Sequence, residues 1–121
     1  MGLKILIVDD ALFMRRMLSN ILEEENFEVV AEAQTGIEAI EQFKKCRPDI
    51  TVLDIVMPGM SGIEALKEIR KIDGAARVVI CSAIGQEALR NDAMASGAMD
   101  YILKPFEPEN VKAVMRKVAG L

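Results

Sequence analysis

Apolar residues fall along this chain in two alternating rhythms: short consecutive runs, and longer stretches where they recur every third or fourth position. Lys4 to Val8 (KILIV), Ile50 to Leu53 and Val78 to Cys81 belong to the first kind. They are rich in β-branched residues and bounded by turn residues, which predicts strands buried on both faces. Glu28 to Ala33 and Tyr101 to Leu103 complete a set of five strands. The second rhythm begins at Leu12 and runs to Glu25, where Met14, Met17, Leu18, Ile21 and Leu22 share one helical face, and the methionines read as core. Thr35-Gly36-Ile37-Glu38 and Ser61-Gly62-Ile63-Glu64 are capping-box patterns. They open helices that end near Arg47-Pro48 and at Asp73-Gly74, with Ile37, Ile40 and Phe43 expected inward in one and Ile63, Leu66 and Ile69 in the other. Gln86 to Ser96 is helical but weakly amphipathic, with alanines where its neighbours carry Ile and Leu, so it is expected to be the least firmly packed helix. Pro108 suits a first helical position, and Val111, Val114, Met115 and Val118 form the inward stripe of the last helix.

Five strand–helix units in alternation predict an α/β fold: a five-stranded parallel sheet, doubly wound and flavodoxin-like, with helices on both faces joined by right-handed crossovers. The expected strand order is 2-1-3-4-5. That order places a crevice beyond the carboxyl ends of strands 1 and 3, where such sheets bind their ligands. At 121 residues the chain is expected to form a single domain over 1–121, with a core that needs no staples.

Composition removes several classes of function. The net charge is −4 without a basic cluster, which argues against nucleic acid as a partner. There is no His, so no triad, imidazole base or phosphohistidine can come from this chain. Cys46 and Cys81 are far apart and lack CxxC spacing, so reduced thiols are expected rather than a zinc site. Apolar runs fall well short of the roughly 20 residues that cross a bilayer, and Met1-Gly2-Leu3-Lys4 leads into a strand without a signal-peptide pattern. A cytoplasmic protein with no membrane association is therefore expected.

What remains is a set of polar residues at strand ends. Asp9-Asp10 follows the first strand, Asp54 the third, Ser82 the fourth and Lys104 the fifth. Taken singly, Asp54 also suits a turn or cap, and Asp9-Asp10 a helix cap. Taken together, three carboxylates in one crevice make a hard-oxygen site suited to Mg²⁺, which keeps several waters and takes only one or two carboxylates directly. A Lys and a hydroxyl nearby would address the oxygens of a transferring phosphoryl group.

Four segments carry a resemblance to the receiver domain of two-component response regulators, and it covers essentially the whole chain. They are IVDD at Ile7 to Asp10, D-x-x-MPGM-x-G from Asp54 to Gly62, Ser82-Ala83, and GAMDYILKPF from Gly97 to Phe106. The stretches from Asp10 to Arg15 and from Cys81 to Gln86, with no output domain expected after Leu121, resemble stand-alone chemotaxis regulators. This family itself exemplifies the 2-1-3-4-5 order, so topology and resemblance count as one expectation.

The resemblance implies a phosphoacceptor switch rather than a turnover enzyme. Asp54 would take a phosphoryl group from a histidine kinase, with Mg²⁺ held by Asp10, Asp54 and the Val56 backbone carbonyl, and Asp9 acting mostly through metal-bound water. Lys104 and Ser82 would contact the phosphoryl group, and Tyr101 would move between outward and inward positions with Ser82. The implied output face is the fourth helix, fifth strand and fifth helix of a monomer, and its implied target is the flagellar motor switch. The alternative within this class is a phosphorelay intermediate that passes its phosphoryl group to a His-phosphotransfer protein. A phosphatase with an Asp nucleophile would need a second Asp where Val56 stands, and a flavoprotein would need a glycine-rich phosphate loop where Asp9-Asp10 stands. Physics alone predicts a trans Lys104-Pro105 bond, whereas the resemblance implies cis.

Overall fold

Consecutive apolar residues form strands here because both faces of the sheet are covered. The computed structural model describes residues 2–121. The elements are β1 (Lys4–Val8), α1 (Leu12–Glu24), β2 (Glu28–Ala33), α2 (Gly36–Cys46), β3 (Ile50–Asp54), α3 (Gly62–Ile72), β4 (Arg77–Ala83), α4 (Glu87–Ala95), β5 (Asp100–Lys104) and α5 (Pro108–Ala119). The strands pair in parallel in the order β2-β1-β3-β4-β5, as expected. Among the described residues no helix is long and apolar enough to cross a membrane.

Alternation along each strand sends side chains to two separate cores. Ile5, Ile7, Ile50, Val52, Val79, Cys81 and Ile102 pack against α1 and α5 through Leu18, Ile21, Leu22, Val111, Met115 and Val118. Leu6, Val8, Leu53, Val78 and Ile80 face α2, α3 and α4. The cores are unequal at α4, which buries only Ala93, as its alanine-rich sequence led one to expect.

Both capping residues work as expected. Thr35 and Ser61 accept from the backbone N–H of Glu38 and Glu64. Glu64 completes a reciprocal box on the Ser61 N–H, whereas the Glu38 carboxylate reaches one residue further, to the Gln34 N–H. The inward face of α2 requires a correction. Ile37 is 59% exposed, and the buried residues are Gly36, Ala39 and Phe43, with Ile40 half-buried. The cause is close approach: a Cβ on Gly36 would stand 2.8 Å from Met60 Cγ. The helix turns its small residues toward the loop after β3, and Ile37 is rotated to the flank. The Lys104-Pro105 bond is cis, as the resemblance implied and propensity did not.

Candidate functional site

Strand parity decides which strand-end groups meet. Asp9 continues the series Ile5, Ile7, and Asp54 continues Ile50, Val52, while Lys104 follows Ile102; all three extend the α1/α5 face of the sheet. At the carboxyl edge the Lys104 ammonium donates to Asp9 Oδ2 at 2.8 Å and to Asp54 Oδ2 at 3.2 Å. Asp9 and Asp54 are buried and Asp10 is exposed, yet each places a carboxylate oxygen within 4.8 Å of the other two.

Local backbone geometry fixes these acids. Asp9 Oδ1 accepts from the Ala11 N–H at 2.9 Å, so Asp9 organises the loop ahead of α1 rather than capping the helix itself. Its carbonyl accepts from Arg15 Nη1 at 2.7 Å, and Arg15 Nε donates to Glu32 Oε1 at 2.8 Å. Asp54 Oδ1 receives the Val56 N–H at 3.4 Å, a weak contact. The chain then turns back so closely that a Cβ on Gly62 would lie 2.1 Å from the Asp54 carbonyl oxygen. Gly62 is therefore what allows α3 to begin directly beneath the strand that carries Asp54.

Electrostatics at the site are strained in one direction. Burial pushes the Asp54 carboxyl above the usual range; Lys104 opposes this and the Asp9 charge adds to it. Burial alone would lower Lys104, but its hydrogen bond to Asp9 and the charge of Asp54 outweigh that and raise it. The lysine thus serves as the cation for two carboxylates. Cys81 is buried beside them, and desolvation drives its thiol well above the usual range, which leaves it inert.

Ser82 and Tyr101 lie on the opposite face. Ser82 stands one residue past Cys81 and is fully buried, with its hydroxyl toward α4, where Arg90 Nη1 donates to it at 3.5 Å. Tyr101, 37% exposed, has its ring beneath the same guanidinium, 4.7 Å from Cζ to centroid. Strand-end position thus groups the acids and Lys104 correctly, while Ser82 points away from them in this arrangement. Val56, in the loop after β3, and Ile84, in the loop after β4, are exposed, as are Leu12 and Phe13 at the start of α1.

Two participants were missed from the sequence. Arg15 carried a legible signal: it shares the spacing of Leu18 and Leu22 on the inward face of α1, where a charge needs partners. Arg90 carried none, because its partners come from two other strands.

The chain matches the model of the response regulator receiver domain over residues 5–116. It is 50% identical to the chemotaxis protein CheY of Thermotoga maritima over 119 residues, covering 98% of this chain and 99% of that protein. It is also 50% identical to CheY of Bacillus subtilis over 117 residues, 97% of this chain and 98% of that one. Among solved structures, the CheX–CheY–BeF₃–Mg²⁺ complex from Borrelia burgdorferi superposes with a TM-score of 0.92 at 37% identity, covering 97% of this chain and 89% of that one. Vibrio cholerae CheY4 superposes at 0.89 and 29% identity, covering 98% and 99%. With this acid cluster at the carboxyl edge of a 2-1-3-4-5 sheet, the chain belongs to the response regulator receiver domain family, close to the CheY regulators of chemotaxis signalling.

Proposed function

We propose that this protein is a chemotaxis response regulator, a single receiver domain over 1–121, whose Asp54 accepts a phosphoryl group from a histidine kinase. The observation that carries the reading is the convergence of Asp9, Asp10 and Asp54 within 4.8 Å, with Lys104 bridging Asp9 and Asp54. An Asp54 carboxylate oxygen attacks phosphorus, the P–N bond of the donor phosphohistidine breaks, and the imidazole leaves as Asp54 becomes an acyl phosphate. The chain catalyses only its own phosphorylation and dephosphorylation.

The donor set fits Mg²⁺, since all three side chains offer hard oxygens. Their oxygens already lie within 4.8 Å of one another, close enough for one cation to be shared among them. Asp10, Asp54 and the Val56 carbonyl would hold the ion, with Asp9 reaching it through water. When bound, Mg²⁺ supplies charge neutralisation to the transferring phosphoryl group. Lys104, relieved of part of its duty to the acids, is then free to pair with a phosphoryl oxygen, and Ser82 donates its hydroxyl to another. Tyr101 follows Ser82 inward.

Exposed apolar surface supports this choice of partners. Phe13, Val56 and Ile84 at the carboxyl edge suit a docking kinase. Leu89 and Met94 on α4, Met99 in the loop that follows, and Tyr101 and Leu103 on β5 suit the target, the flagellar motor switch, met by a cytoplasmic monomer.

The test is intact mass after incubation with a small acyl phosphate and Mg²⁺, beside Asp54→Asn and an EDTA control. One phosphoryl adduct that requires both Asp54 and Mg²⁺ is expected; an adduct that persists in Asp54→Asn overturns the assignment. Offering the phosphorylated protein a motor-switch peptide and a His-phosphotransfer domain then separates a terminal regulator from a relay intermediate.

A further inference from the structure

Ser82 and Tyr101 come from neighbouring strands, and a third residue joins them. In the β4–β5 register Tyr101 stands opposite Ile80, two residues before Ser82, so both side chains emerge on the α4 face. Arg90 reaches back from α4 between them. Its Nη1 donates to Ser82 Oγ at 3.5 Å, and its Cζ lies 4.7 Å from the Tyr101 ring centroid.

We propose that Arg90 is a positioning residue that holds Ser82 and Tyr101 in the resting arrangement of the switch, and that phosphorylation of Asp54 must displace it. This rests on the reading of Asp54 as the phosphoacceptor. A guanidinium suits the task because its edge carries N–H donors while its face stacks on a ring, two contacts an ammonium cannot make together. None of the ion pairs among the described residues includes Arg90. Its close contacts are therefore the ring and the hydroxyl, while Glu87 on the same helix feels its charge from further away.

The two contacts differ in strength, and that sets the order of events. At 3.5 Å the bond to Ser82 is at the outer limit of hydrogen bonding, whereas the ring contact is well inside the roughly 6 Å range of a cation–π interaction. The Arg90 contact is also the one hydrogen bond made by the Ser82 side chain among the described residues, and Ser82 is fully buried. A phosphoryl oxygen that draws the hydroxyl away breaks the weak contact first. The ring contact to Tyr101 then comes from a helix that buries a single residue, Ala93. Arg90 thereby biases the switch toward rest and links the α4 face to the state of the acid cluster.

The test uses the full chain with Arg90→Met, which keeps length but removes charge and donors, and Arg90→Lys, which keeps charge alone. The single Tyr and the absence of Trp make tyrosine fluorescence a report on Tyr101. Each variant is titrated with beryllofluoride in excess Mg²⁺, after thermal melting shows that it is folded. Arg90→Met is expected to lower the half-saturating concentration by about two- to fivefold, the factor that corresponds to an exposed cation–π contact, with Arg90→Lys between it and the wild type. Unchanged half-saturation in a folded Arg90→Met protein, or Arg90→Lys falling with Arg90→Met below the threshold of any rescue, overturns the role of Arg90. A wild-type protein that fails to respond to beryllofluoride overturns the phosphoacceptor reading instead, and this proposal with it.

Discussion

Replacing Asp54 with Asn should stabilise the protein in the absence of divalent cations, because the carboxylate that makes the site useful is a burden on the fold. With an effective dielectric of about 20, Lys104 at 3.2 Å attracts Asp54 by about 5 kcal/mol. Asp9, within 4.8 Å, repels it by about 3.5 kcal/mol or more and Asp10 adds a smaller share, so attraction and repulsion nearly offset and the burial of Asp54 decides the sign. Solvent screens the share of the exposed Asp10, while the burial of Asp54 adds a cost in the same direction. The expected gain is therefore about 1–2 kcal/mol, or roughly 3–10 °C in Tm for a chain of this size.

The pH dependence follows from the raised pKa of Asp54. The folded state binds this proton more tightly than the unfolded chain, so the penalty is present in full above the folded pKa and disappears as pH falls through it. Urea denaturation of wild type and Asp54→Asn in EDTA should show the widest gap at neutral pH and a closing gap toward pH 4. Added Mg²⁺ should then raise wild type by about 1.4 kcal/mol at ten times its Kd, and raise the variant less. An Asp54→Asn protein less stable than wild type in EDTA at neutral pH would refute the reasoning.

The remaining predictions concern the groups that hold Asp54 in place. Lys104→Met leaves Asp9 and Asp54 buried without their cation, so a loss of about 3 kcal/mol is expected in EDTA, largely restored by Mg²⁺; a urea midpoint unchanged from wild type would contradict this. Gly62→Ala places a Cβ 2.1 Å from the Asp54 carbonyl oxygen, so the backbone must shift, at a cost of about 2–3 kcal/mol and with a lower yield of the phosphoryl adduct. Melting and adduct mass together check it, and wild-type values in both would show that the close approach is unimportant.

Several features of the site were legible in the order of residues because they depend on neighbours in the chain. Ile50 to Leu53 makes a strand that delivers Asp54 to its carboxyl end, and Lys4 to Val8 does the same for Asp9 and Asp10. The Ser61 box reads directly from Ser-Gly-Ile-Glu. Ile37 misleads for an instructive reason: hydrophobicity marks which side chains favour burial, but Gly36 takes an inward position, with Ala39 and Phe43, because α2 packs too near Met60 there for a side chain. Arg15 is intermediate, since its position on the inward face of α1 is periodic while its partners, the Asp9 carbonyl and Glu32, are not.

By itself the sequence determined the alternation of strands and helices, the ends at which the acids and the lysine emerge, and the family to which those motifs belong. These are consequences of periodicity and of turn chemistry, both of which act over a few residues. Only the tertiary structure decided that Lys104 bridges Asp9, 95 positions away, and Asp54, 50 positions away. It also decided that Ser82 and Tyr101 face α4 and share Arg90. Those contacts depend on strand register, on the parity of each side chain across the sheet and on how closely a helix can approach, and none of these quantities is carried by any one segment of the chain.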